Sequence, residues 1–181
     1  AVGCMAFGRL YPVVRLLTGG DVAGEFQLGV FGVIGSLLFL FSANFGSIDS
    51  LVDDKSAEFK KYRLIALAAP MAVGLLYALF IVLTDVPLFA KILSAVITVF
   101  AMQASYFHLK HLIFPDVDFG VISCLKQYNL LALLYCFLCV AEMIVIGINN
   151  GVLLLITDII IGALLIGVVF SVERGIKKWT T

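Results

Sequence analysis

The sequence predicts an all-α membrane protein, a polytopic bundle of helices that cross the bilayer. Hydrophobic residues make up 62% of the chain and charged residues 13%, and the mean hydropathy is +1.14. Soluble domains rarely reach such values. The apolar residues also form continuous runs of about 20, the length a helix needs to cross a hydrocarbon core roughly 30 Å thick. We expect one integral-membrane domain over residues 1–181.

Six apolar segments are candidate spans. The first, 1–18, contains Arg9, Pro12 and Arg15, so an alternative with five spans and an interfacial first segment stays open. Pro70 lies inside the third segment and predicts a kink there, since proline frees a backbone carbonyl one turn earlier. The remaining five segments are 28–46, 64–84, 88–107, 128–148 and 152–172.

The links between the segments alternate in charge. The short links Gly19-Gly20-Asp21, Asp85-Val86-Pro87 and Asn149-Asn150-Gly151 have turn-forming residues and no Lys or Arg. The other links and the C-terminal tail hold nine of the twelve basic residues, namely Lys55, Lys60, Lys61, Arg63, Lys110, Lys126, Arg174, Lys177 and Lys178. Because basic links stay in the cytoplasm, we expect a cytoplasmic C-terminus and six spans, with the plasma membrane as location.

The two inner links, 47–63 and 108–127, are predicted to lie on the inner leaflet. In the first, apolar residues such as Leu51 and Phe59 share one helical face, and Asp54 and Glu58 lie elsewhere. An irregular loop is the alternative interpretation. Neither link shows the basic run with interleaved aromatic residues that is typical of a nucleic-acid surface.

A polar stripe runs along the fourth predicted helix. Its members recur every three or four residues and are Lys91, Ser94, Thr98, Ala101, Ser105 and His108. Small residues form a similar stripe on the second helix at Gly29, Gly32, Ser36 and Ala43. We expect both stripes to face the bundle interior, either as packing surfaces or as the lining of a polar path.

Two acids lie inside predicted spans. Glu142 and Asp158 are each eight residues from Asn150, so antiparallel helices place them at one depth, about 12 Å from the turn. Arg15 and Lys91 lie in the same half of the bilayer, and an ionic cluster of all four is possible. The acids either bind a proton, a cation or a charged substrate, or hold the bundle together as buried ion pairs.

Other chemistry has weaker signals. His108 and His111 share a helical face and are weak metal candidates, but no third ligand is evident, and interfacial anchoring is the favoured explanation. Cys136 and Cys139 fall in an apolar run, which favours packing over redox chemistry. No nucleotide-binding or hydrolase motif occurs, so we predict no cofactor and do not favour an enzyme.

The function that these residues favour is a small transporter or membrane substrate-binding subunit. Its candidate site residues are Glu142, Asp158, Lys91, Arg15, Ser94, Thr98 and Ser105. A non-catalytic sensor, scaffold or accessory subunit with a basic cytoplasmic face is one alternative, and an intramembrane lipid-modifying enzyme is another. The expected partners are the lipid bilayer, a small molecule or ion, and a protein partner or second copy, but not nucleic acid.

Overall fold

The computed structural model describes residues 14, 17, 18, 57–113 and 125–180, which are 92% helical and include no strand. Four stretches within them are long and apolar enough to span a membrane: Lys60–Leu83, Leu88–Ile113, Lys126–Ile148 and Gly151–Lys178. The predicted spans 1–18 and 28–46 lie outside the described residues. The helices are α1 (Ala57–Ala66), α2 (Ala68–Leu83), α3 (Leu88–Ile113), α4 (Lys126–Ile148) and α5 (Gly151–Thr180).

Pro70 explains why the first of these spans consists of two helices. A proline ring clashes with the carbonyl four residues earlier, which here belongs to Ala66. The helix ends at Ala66, the Leu67 N–H donates to the Leu64 carbonyl at 3.2 Å, and α2 begins at Ala68. Pro70 thus lies in the first turn of α2, where its missing N–H costs little.

The inner helix ends differ from the predicted boundaries. Residues 57–63 belong to α1, which packs against α3 and α2, and residues 108–113 continue α3. His108 and Lys110 are each only 3% exposed, so these two side chains near the end of α3 pack inside the protein. Packing against neighbouring helices extends α3 beyond the boundary predicted from the sequence, and hydropathy alone does not reveal this extension. The rest of the two inner links, 47–56 and 114–124, is outside the described residues.

Turn chemistry ends the helices where the sequence predicts. Thr84 is extended and ends α2. Asn149 ends α4 in the left-handed region, at φ 58°, a conformation that asparagine tolerates better than most residues. The Asn150 side-chain oxygen then accepts a hydrogen bond from the Leu153 N–H at 3.1 Å. This bond caps the first turn of α5.

Helix α4 is central. It packs against α2, α3 and α5, while α3 also contacts α1 and α2. The outward faces are apolar as well, with Val82, Ile159 and Ile166 more than half exposed, an arrangement that suits a lipid environment. The shared core consists of small and branched residues around one large ring: Val73, Ile97, Ala101, Ala104, Ala132, Tyr135, Val140, Ile161 and Leu165.

The bundle has two chemically different ends. Gly147 of α4 closely approaches Thr84, so both tight links, 84–87 and 148–151, lie at one end, which we call the turn end. At the opposite end His108 of α3 contacts Asn129 of α4. We call this the basic end, because it carries Lys60, Lys61, Arg63, Lys126, Arg174, Lys177 and Lys178.

Candidate functional site

A buried polar layer lies near the turn end. Glu142 on α4, Asp158 on α5 and Ser94 on α3 are 2%, 7% and 8% exposed. Each is six or seven residues from the turn end of its helix, which places it about 9–11 Å inside at a rise of about 1.5 Å per residue. We call these three residues the acid layer.

Helix periodicity explains why the two acids are buried. Asp158 begins a row spaced by three and four residues that continues through Ile161, Leu165 and Val168, all buried. This row is the face that α5 turns to α4. Glu142 belongs to α4, whose central position leaves few of its side chains exposed. Both acids are therefore held by faces that otherwise consist of core residues.

A carboxylate at this depth requires compensation. An ionised group in the interior of a membrane protein costs at least a few kcal/mol unless it is paired, protonated or hydrated. Glu142 and Asp158 both have interaction partners in the structure. The partners that compensate these two carboxyl groups therefore belong to the same buried region of the bundle.

The predicted four-residue ionic cluster is not assembled in the described part of the chain. Arg15 lies outside the described residues. Lys91 is only partly buried, and the helices described here record no ion pair between it and Glu142 or Asp158. It lies three residues from the start of α3, about 5 Å nearer the turn end than the acid layer. The tip of its side chain can therefore reach the interface instead.

The polar stripe of α3 faces the interior, as predicted. Ser94, Thr98 and Ser105 are buried, and their hydroxyls donate to carbonyls of their own helix, those of Ala90, Ser94 and Met102. Because these protons are engaged, the oxygens offer only lone pairs to neighbouring groups. Ser94 lies at the depth of the acids, Thr98 lies one turn deeper, and Ser105 lies about 16 Å beyond Ser94 at a rise of about 1.5 Å per residue.

Sequence reasoning missed Asn129. Its Oδ1 lies 3.0 Å from His108 Nδ1 across α3 and α4, and the Tyr128 ring packs edge-on against the imidazole at 5.5 Å. Since an amide oxygen only accepts, Nδ1–H donates in this arrangement. Hydrogen bonds between membrane helices contribute about 0.6 kcal/mol on average. The signal in the sequence was the amide side chain of Asn129, which lies one turn after the start of a span. An amide at this position is easily taken for an ordinary residue of a helix start.

The remaining candidates, His111, Cys136 and Cys139, lie in environments that suit a structural role. His111 lies near the end of α3 and is partly buried, and the described residues contain no group of three potential metal ligands. Cys136 and Cys139 are both buried, and the Cys139 thiol donates to the Cys136 carbonyl at 3.3 Å. Both cysteines therefore act as small core residues.

Comparison with known proteins adds no functional assignment. No family model, no curated protein and no solved structure matches this chain. A functional conclusion therefore depends on the buried side chains themselves. The acid layer is the feature with the highest energetic cost, and it has the clearest capacity to bind a charged ligand.

Proposed function

We propose that this protein is a small membrane transporter, or a membrane substrate-binding subunit, that binds a proton or a cation at the acid layer. The observation that carries the proposal is the burial of Glu142 and Asp158 at the same depth on two helices joined by a tight turn. Ionisable residues inside a membrane are costly, and they commonly mark ion or proton pathways.

The chemistry of the layer supports a hard, positively charged ligand. Carboxylate and hydroxyl oxygens are the donors that hard metal cations prefer, and a carboxyl group also exchanges protons readily. Ser94 and Thr98 add oxygen lone pairs on α3, because their own protons are engaged within that helix. The acid layer lies about 9–11 Å from the turn end, which is a short distance for water and ions to enter.

Cation binding is the first test of this proposal. In detergent at constant ionic strength, replacing choline by Na⁺ or K⁺ should raise the unfolding temperature by several degrees, because a ligand that binds only the folded state stabilises it. Glu142→Gln and Asp158→Asn should remove the response. Glu173→Gln is the matched control, since that acid is exposed and pairs with Lys177 at 2.6 Å.

A proton as the ligand gives a different result. The response to Na⁺ and K⁺ is then absent, and the unfolding temperature of the unmodified protein changes with pH in a way that either acid-layer substitution abolishes. The proposal is wrong if the unfolding temperatures of the acid-layer variants and of Glu173→Gln respond in the same way to cations and to pH. Lower stability of both variants under every condition, with no ligand response, would indicate a structural ion pair.

We also propose six spans, with the basic end and the C-terminus in the cytoplasm of a plasma-membrane protein. The separation of charge supports this orientation: Asp85 is the charged residue of the tight links at the turn end, while Lys and Arg gather at the other. A fluorescent reporter fused after Thr181 should be active, and a periplasmic or extracellular enzyme reporter at the same site inactive. The reverse result excludes this orientation.

A further inference from the structure

The described helices concentrate cations at the basic end. Helix α1 contributes Lys60, Lys61 and Arg63, α4 contributes Lys126, and α5 contributes Arg174, Lys177 and Lys178. All but Arg63 are exposed. Buried Lys110 of α3 lies at the same end, so eight basic residues accompany two acids, Glu58 and Glu173, in these helices. The adjoining stretches 47–56 and 114–124 add one lysine and five aspartates, which leaves this half positive.

The length of α5 places its cations at the level of lipid headgroups. Its 30 residues span about 45 Å at about 1.5 Å per residue, whereas the hydrocarbon core is about 30 Å thick. From Gly151 to Val172 the single charged residue is Asp158, and the run of charged residues begins at Glu173. With the turn end at one interface, Arg174, Lys177 and Lys178 emerge at the other.

Helix α1 adds a second group of cations at the same level. Lys60 and Lys61 are exposed and immediately precede the apolar stretch that begins at Leu64. Lys177 pairs with Glu173 at 2.6 Å. The other exposed cations of these two helices, Lys60, Lys61, Arg174 and Lys178, are the residues that we assign to an external anion. These four occupy two separate helices, of which α1 packs against α2 and α3 while α5 packs against α4, so each helix presents its own group of cations to the surrounding headgroups.

We propose that the basic end binds the phosphate groups of anionic phospholipids. Lysine and arginine at a membrane surface attract anionic headgroups by about 1 kcal/mol each, and an arginine fork matches two phosphate oxygens. The cations lie at headgroup depth beside the hydrophobic surface of the bundle, a location that bilayer lipids occupy at high local concentration. This interaction does not depend on the acid layer.

The single tryptophan of the chain, Trp179, is a native probe of this surface, because it directly follows Lys178. We expect brominated phosphatidylglycerol in phosphatidylcholine vesicles to quench its fluorescence more strongly than brominated phosphatidylcholine at equal content. The association preference should be about fivefold or more, the factor that corresponds to about 1 kcal/mol. High salt should reduce it, since screening shortens the range of surface charges.

Substitutions identify the residues responsible. The combined change Lys60→Gln, Lys61→Gln, Arg174→Gln and Lys178→Gln should bring the preference close to one. Lys60→Arg with Lys61→Arg, which conserves charge, should retain it. Lys91→Gln at the turn end is the control and should leave it unchanged.

Equal quenching by the two lipids overturns the proposal, and this result would favour an acidic protein partner for the basic end instead. A preference that survives the fourfold substitution also overturns it. Because Glu142→Gln should leave the lipid preference intact, failure of cation binding at the acid layer and failure of lipid binding are separate results.

Discussion

Vesicles that contain the Glu142→Gln or Asp158→Asn variant should show no ion flux above that of empty vesicles. The unmodified protein, under a valinomycin-imposed potassium gradient, should admit protons or Na⁺ in response to the negative interior. Internal pyranine fluorescence measures proton entry, and radioactive sodium measures Na⁺ entry. The effect should be complete, because the amide of glutamine or asparagine carries no negative charge to compensate a cation in the interior and does not exchange a proton as a carboxyl group does.

Glu173→Gln is again the matched control for flux. It removes a carboxyl from the same helix as Asp158, but the glutamate is 53% exposed and lies at the basic end. Flux through this variant should equal that of the unmodified protein. If all three variants conduct equally, the acid layer does not carry ions, and the transporter proposal fails even if cations bind there.

Gly147→Ala should markedly lower the stability of the protein, because the position has no room for a methyl group. A Cβ placed on Gly147 lies 2.3 Å from Thr84 Cγ2 and 2.6 Å from Thr84 Cβ, closer than atoms can approach. Thr84 cannot rotate away cheaply, because it is 5% exposed and its hydroxyl donates to the Phe80 carbonyl at 2.6 Å. Overpacking of this kind costs about 1–3 kcal/mol.

Thermal unfolding of the purified protein in detergent measures this effect. Gly162→Ala on α5 is the control, since nothing lies within 4 Å of a Cβ there, and it should unfold at or above the temperature of the unmodified protein. Adding Thr84→Gly to Gly147→Ala should recover part of the loss by removing the clashing atoms. Equal unfolding temperatures for Gly147→Ala and Gly162→Ala would show that the two turns do not meet as described.

Local chemistry accounts for the features that the sequence predicts correctly within the described residues. Continuous apolar runs predict the long helices, and the Asn149 and Asn150 pair predicts the turn between α4 and α5, since both signals act over a few residues. The common depth of Glu142 and Asp158 follows from the fixed rise of a helix once that turn is known. The break before Pro70 follows from a single missing N–H and a ring clash.

The contacts that depend on helix rotation or tilt were not predicted from the sequence. The partner of His108 is Asn129, which the sequence did not single out, and His108 and Lys110 near the inner end of α3 are buried. A soluble helix reveals its core face by its hydrophobic stripe. In this protein the outward faces are as apolar as the core, so the pattern carries little information about rotation.

The sequence by itself determined that this is an apolar helical chain with acids inside its helices and cations concentrated toward one side. Only the tertiary structure decided that α4 is central, that Gly147 meets Thr84, and that His108 bonds to Asn129. Hydropathy and turn formation depend on neighbours in the chain. Contacts between helices depend on how each helix is rotated about its axis. Because the faces of these helices are nearly equal in polarity, the close packing of side chains determines that rotation.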